Sequence, residues 1–262
     1  MLSLEYLLQE SEELGLPITK KRAILREYLQ NMVLNSIYKI RTGKQLFFMG
    51  GTALRFCYRL PRFSEDLDFN AKRLSFESFK DITEKVAKDL SLEGFNTEVE
   101  YSERKGIYTA YINFPEAMRQ YNITDMRDID LMIKLEVNQP SWPLETQLQV
   151  LSYYGFNYTA IVMAESSLIT EKLCAMLNRN RGRDIYDLMF MLKKKFPFDN
   201  RILKANNLSE KPRELIIQHL ETLMGKELKR LALQVKPFLF KEDDIELVLK
   251  APDYAKKFLM EY

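Results

Sequence analysis

The segment that most constrains this chain is Gln45-Leu46-Phe47-Phe48-Met49-Gly50-Gly51, an apolar run of strand length cut off by two glycines. A helix-forming stretch, Thr52-Ala53-Leu54-Arg55-Phe56-Cys57-Tyr58, follows at once. The run is too short for a helix and suits a buried strand. Glycines at its end permit a turn that other residues resist, and Thr52 is a favoured helix N-cap. Strand, glycine turn and helix N-terminus in that order belong to an α/β layer. They also aim free N–H groups and the positive end of a helix dipole past the strand end, a natural seat for an anion such as a triphosphate, with the Thr52 hydroxyl as a further donor.

The surrounding pattern extends this layer. Residues 18–42 carry Ile24, Leu25, Tyr28, Leu29, Met32, Val33 and Ile37 at helical spacing, with Gly43 as a stop. Beyond Pro61, Asp66-Leu67-Asp68-Phe69-Asn70 alternates as a half-buried strand does, and 75–90 returns to helical spacing. Strands are expected at 96–101 and 107–113, and most clearly from Ile129 to Val137, which Pro140 and Pro143 close. From 164 onward the pattern is helical, over 167–179, 183–195, 212–233 and 242–260, with Pro252 breaking the last. The expected organisation is an α/β domain over 1–163 with an N-terminal helix, then an α-helical domain over 164–262 that contributes to the active site.

Asp66 and Asp68, two apart on a strand, point their carboxylates to one face with Cα atoms roughly 6.5–7 Å apart. Such a pair can share divalent ions that stabilise the attacking and leaving oxygens of an in-line phosphoryl displacement. Mg²⁺ suits the task because it takes few carboxylates and completes its shell with phosphate and water. A D-x-D alone is more commonly an exposed strand face; the glycine turn just upstream gives it weight.

Phe48-Met49-Gly50-Gly51-Thr52-Ala53-Leu54-Arg55, followed by Arg62-Phe63-Ser64-Glu65-Asp66-Leu67-Asp68-Phe69, resembles the signature of DNA polymerase β-type nucleotidyltransferases. More narrowly it is similar to the AbiEii/MenT-type toxins of type IV toxin–antitoxin systems. The resemblance implies a polymerase β-type α/β core with a mixed sheet, followed by a mainly α-helical half. It implies Mg²⁺, or Mn²⁺ in its place, on Asp66, Asp68 and a third carboxylate. Glu136 matches that third place, on one strand face with Lys134 and Asn138; Asp130 on the same face is the competitor. Gly50, Gly51, Thr52 and Ser64 fall in the nucleotide-binding part of the signature. Later motifs are matched by Glu171-Lys172-Leu173 and by Arg179 through Asp184 to Asp187-Leu188. There Lys172 and Arg179, seven apart on one helix face, would contact triphosphate oxygens. Asp184 and Asp187 would orient Lys172, Arg181 or the nucleophile, with Asp187 counted among the catalytic residues; helix capping and inter-helix salt bridges are the alternative use of both.

The implied activity is transfer of a nucleoside monophosphate from an NTP to an acceptor, the tRNA 3′ end in the toxin family, with an antitoxin encoded nearby. A protein or small-molecule acceptor, and a non-catalytic binding module, stay open as alternatives. Net charge, +2 from 39 basic and 37 acidic residues, by itself points to neither nucleic acid nor membrane. Basic residues do gather at Arg179-Asn180-Arg181-Gly182-Arg183. No apolar run approaches the ~18 residues needed to span a bilayer, and Met1 to Leu16 lacks the basic start of a secretory signal. With two cysteines, Cys57 and Cys174, in apolar helical stretches, a reducing cytoplasm fits. A single histidine, His219, gives no basis for a histidine triad or a zinc site.

Overall fold

The structure, a computed structural model, describes residues 1–126 and 130–260. The chain divides into two compact units. One comprises Met1–Cys57, Phe63–Pro140 and Thr146–Val162; the other comprises Tyr58–Arg62, Ser141–Glu145 and the chain from Met163 onward.

The first unit is built on a seven-stranded mixed sheet. Its strands are β1 (Phe47–Met49), β2 (Leu67–Asn70), β3 (Glu98–Arg104), β4 (Ile107–Phe114), β5 (Leu131–Asn138), β6 (Thr146–Tyr153) and β7 (Phe156–Met163), in the order β3-β4-β5-β2-β1-β7-β6. Around them lie α1 (Leu4–Glu13), α2 (Lys21–Lys39), α3 (Gly50–Tyr58), α4 (Phe76–Leu92) and the single turn α5 (Ala117–Gln120). β5 shows why the sheet forms: Leu131, Ile133, Leu135 and Val137 are fully buried while Met132, Lys134, Glu136 and Asn138 take the other face. It runs antiparallel to β4 and parallel to β2, which is antiparallel to β1.

Helix α2 is buried nearly all round, and its polar side chains are spent on the neighbouring chain. Gln30 donates to the carbonyls of Ser64 (3.2 Å) and Glu65 (2.8 Å), and Arg26 pairs with the Glu65 carboxylate at 2.9 Å. Glu27 holds Arg55 of α3 through two bonds of 3.0 and 2.9 Å, both side chains buried. Removing one partner of such a pair costs about 3–5 kcal/mol. The segment Ser64-Glu65-Asp66 is thus tied to the core by main-chain bonds as it enters β2.

Several elements differ from expectation. The helix expected over 18–42 is Lys21–Lys39, with a 3₁₀ turn at Thr42–Gln45 that shortens the following strand to Phe47–Met49. β5 begins at Leu131; Ile129, its expected start, lies outside the described residues. β6 and β7 were not expected. Tyr154 and Gly155 join them, both with positive φ (51° and 75°), as a type I′ hairpin turn requires.

The second unit contains α6 (Glu165–Arg179), α7 (Gly182–Lys193), α8 (Asn200–Ala205), α9 (Pro212–Thr222), α10 (Gly225–Val235), α11 (Glu246–Leu249) and α12 (Ala251–Leu259). The helix expected over 212–233 is two helices, because Leu223 and Met224 adopt extended ψ values of 110° and 155°. Pro252 stands in the first turn of α12, where its missing N–H costs nothing. A Cβ on Gly182 would collide with the Leu231 carbonyl, so α7 and α10 pack main chain to main chain at that point.

Candidate active site

The first helical residue after β1 is Gly50 rather than Thr52. Gly50 is required twice over: its φ is +76°, and a Cβ there would run into the Asp68 carboxylate. The register that pairs Met49 with Asp68 produces this close approach. An acidic side chain at the start of α3 sits where the helix dipole favours negative charge. Thr52 is 1% exposed, and its hydroxyl donates to the main-chain carbonyl of Asp66. That proton is committed to bracing the acidic segment. The main-chain N–H groups of the Gly50-Gly51 turn, rather than the Thr52 hydroxyl, are what the first turn has to offer an anion.

Asp66 and Asp68 are partly exposed, between the buried Leu67 and Phe69. In the parallel pairing of β2 with β5, Asp68 lies directly opposite Glu136. Asp130 is exposed and precedes β5, outside that register. Alternation gives Asp130 and Glu136 the same face, and it is the register that separates them. The Glu136 carboxylate takes the ammonium of Lys134. Burial works against the charge on Lys134, but the bond to Glu136 and the charges of Glu136 and Asp66 outweigh it and hold its pKa above the ordinary lysine value.

Among the described residues no three His, Cys, Asp or Glu side chains converge as a finished metal cage. The three expected ligands, Asp66, Asp68 and Glu136, are therefore not gathered into one cage; a catalytic Mg²⁺ needs only one or two carboxylates and completes its octahedron with substrate phosphates and water. Asp66 and Asp68, with Glu136 paired to Asp68 in the adjoining strand, fit such an ion in charge and donor type. The main-chain carbonyl of Ser64, two residues before Asp66, accepts from Gln30 of α2.

Lys172, Arg179, Asp184 and Asp187 meet one another in the second unit. The Lys172 ammonium lies 3.1 Å from Asp184 and 3.0 Å from Asp187. Arg179 bonds Asp184 through two nitrogens at 2.8 and 2.9 Å. Arg62, which sequence reasoning quoted only as part of a motif, grips Asp187 bidentately at 2.7 and 2.6 Å and is itself buried. Burial opposes both carboxylate charges, yet Lys172 and Arg179 pull the Asp184 pKa down to about 2, and Arg62 and Lys172 lower that of Asp187. The same aspartates keep Lys172 charged despite its burial. The inter-helix salt bridges weighed for these aspartates are present. His219 bonds Asn180, the residue that ends α6, at 2.8 Å, a packing role.

No helix among the described residues is long and apolar enough to cross a membrane. The family model described as nucleotidyl transferase AbiEii toxin, type IV TA system, matches residues 33–255. Among solved structures the chain is similar in fold to MenT4, a nucleotidyltransferase toxin from Mycobacterium tuberculosis. That match has 18% identity and a TM-score of 0.57, covering 98% of this chain and 90% of the other. It is similar also to JHP933 from Helicobacter pylori, at 19% identity and a TM-score of 0.54, covering 91% of this chain and 92% of that one. No curated protein sequence matches the chain.

Proposed function

Because the chain belongs to the AbiEii family of nucleotidyltransferase toxins from type IV toxin–antitoxin systems, we propose that it transfers a nucleoside monophosphate from an NTP to the 3′ end of tRNA in a Mg²⁺-dependent reaction. The observation that carries this reading is the register setting Glu136 opposite Asp68, two residues from Asp66 and against the Gly50 turn. In the reaction an acceptor hydroxyl oxygen forms a bond to the α-phosphorus, the bond to pyrophosphate breaks, and the hydroxyl proton leaves. Asp66 and Asp68, with Glu136 as the third acid, would hold the ion, Mg²⁺ or Mn²⁺ in its place. When bound, it supplies positive charge to the attacking and leaving oxygens.

The main-chain N–H groups of Gly50 and Gly51 receive the triphosphate, Ser64 shapes the approach, and Thr52 holds Asp66 in place from behind. Lys172 and Arg179 are the further triphosphate contacts that the family likeness implies; within the second unit both are braced by acids, Lys172 by Asp184 and Asp187 and Arg179 by Asp184, with Asp187 as the positioning residue for Lys172. The tRNA acceptor rests on the likeness to the toxin family and on the basic segment Arg179–Arg183. An antitoxin is the partner that a type IV system implies, and the cytoplasm is where such a reaction finds its substrates.

The test incubates purified protein with total tRNA, Mg²⁺ and each labelled NTP in turn, with Asp68→Ala as control. Label on tRNA from the wild type alone is the expected outcome. Label on protein instead would change the acceptor, and full activity in Asp68→Ala would overturn the site assignment.

A further inference from the structure

Lys134 stands two residues before Glu136 on the same face of β5, with its ammonium on the Glu136 carboxylate. The register that pairs Asp68 with Glu136 ends at Leu67 opposite Leu135, and Asp66, the next residue back, lies near enough for its charge to act on Lys134. On the other side, β4 presents Thr109 opposite Glu136 and Tyr111 opposite Lys134, both uncharged. Lys134 is therefore a cation flanked by two of the three acidic residues. The side chains of Lys134 and Glu136 are 27% and 34% exposed, so water can replace either partner and the pair can open without burying a bare charge.

Clustered carboxylates repel one another when no cation lies among them, and a divalent ion and an ammonium on the same carboxylate also repel. A lysine fixed at this position meets both conditions in turn. We propose that Lys134 is a tethered counterion for the acidic group, seated on Glu136 until a divalent cation displaces it. This rests on the reading of Asp66, Asp68 and Glu136 as metal ligands. The ammonium competes with the metal for Glu136 and so sets how tightly the protein binds a divalent ion before nucleotide arrives.

Mn²⁺ binding to the full chain without nucleotide, followed by the electron paramagnetic resonance signal of the free ion, tests this directly. Lys134→Gln is expected to bind Mn²⁺ about three- to tenfold more tightly than the wild type, the scale of one partly exposed charge–charge contact. Lys134→Arg keeps the charge and should bind as the wild type does. The double variant Lys134→Gln/Glu136→Gln should bind no more tightly than Glu136→Gln alone. A second reading is thermal: Mg²⁺ should raise the melting temperature of Lys134→Gln by more than that of the wild type. Unchanged or weaker Mn²⁺ binding by Lys134→Gln, with Asp68→Asn weakened as expected, would overturn the counterion role and leave the metal site standing. Wild-type binding by both Asp66→Asn and Asp68→Asn would remove the metal reading itself, and the inference with it.

Discussion

Two pairs of aspartates at short spacing, Asp66 with Asp68 and Asp184 with Asp187, look alike in the sequence and sit in opposite environments. The strand pair is partly exposed and has Glu136, another acid, in the adjoining strand. The helix pair is buried to 2% and 0%, and each carboxylate is held by two cations. The first arrangement concentrates negative charge where a divalent ion can reach it. The second neutralises charge within the protein, so that no added ion is needed to keep the acids ionised. Spacing therefore says which carboxylates share a face, and burial with counterions says whether they are available for chemistry.

The widest separation between the two groups should appear in Asp68→Ala. Nucleotidyl transfer is expected to fall by roughly 10³-fold, the scale of losing several kcal/mol of metal-borne charge stabilisation. Its melting temperature should stay close to that of the wild type, as calorimetry would show. A variant that unfolds instead would mean that the strand group is structural too.

Arg62→Met should do the reverse. It leaves Asp187 with half of its counter-charge in a buried site, and a loss of about 3 kcal/mol is expected in urea unfolding. Unfolding at wild-type denaturant concentrations would show that the helix group is not the fixed structure its bonds suggest.

Acid titration comes next in size. The Asp184 pKa is lowered from 3.8 to about 2, so its contribution is present above the unfolded value and is lost as pH falls from about 4 towards 2. The shift corresponds to roughly 2 kcal/mol, and Asp187, lowered as well, adds in the same direction. Circular dichroism across that range should show a steeper loss in the wild type than in Asp184→Asn. The smallest effect is expected of Gly50→Ala, which strains a positive φ and crowds Asp68 at a cost of about 1–2 kcal/mol. It should reduce activity more than it reduces stability.

The glycine turn and the acidic strand of the candidate site were legible because their signals are local. Gly50-Gly51 ends a strand within a few residues, and Asp66-Leu67-Asp68 declares its own alternation. The acid that pairs with Asp68 was legible only as a choice, because Asp130 and Glu136 have the same parity and only strand register tells them apart. Arg62 was hidden for a related reason: its partner lies on α7, far along the chain, and no local pattern marks a buried arginine. β6 was obscured by its own surface, where Leu148 and Val150 are 71% and 75% exposed and so put apolar residues on the solvent side of the alternation. The break between α9 and α10 passed unseen because the apolar period runs through Leu223 and Met224 without a proline.

The strand register has a consequence for the order in which the acidic residues come together. β5 occupies the sheet between β4 and β2, so Asp68 and Glu136 become neighbours only after a late segment has inserted beside an early one. A ribosome that has delivered β1 and β2 has made the glycine turn and two aspartates, but not the third acid. The pairing of Asp68 with Glu136 therefore cannot form until β5 has left the exit tunnel and joined the sheet. Pairing across such a loop is slow compared with helix formation, so the two acidic strands come together well after the glycine turn has been made.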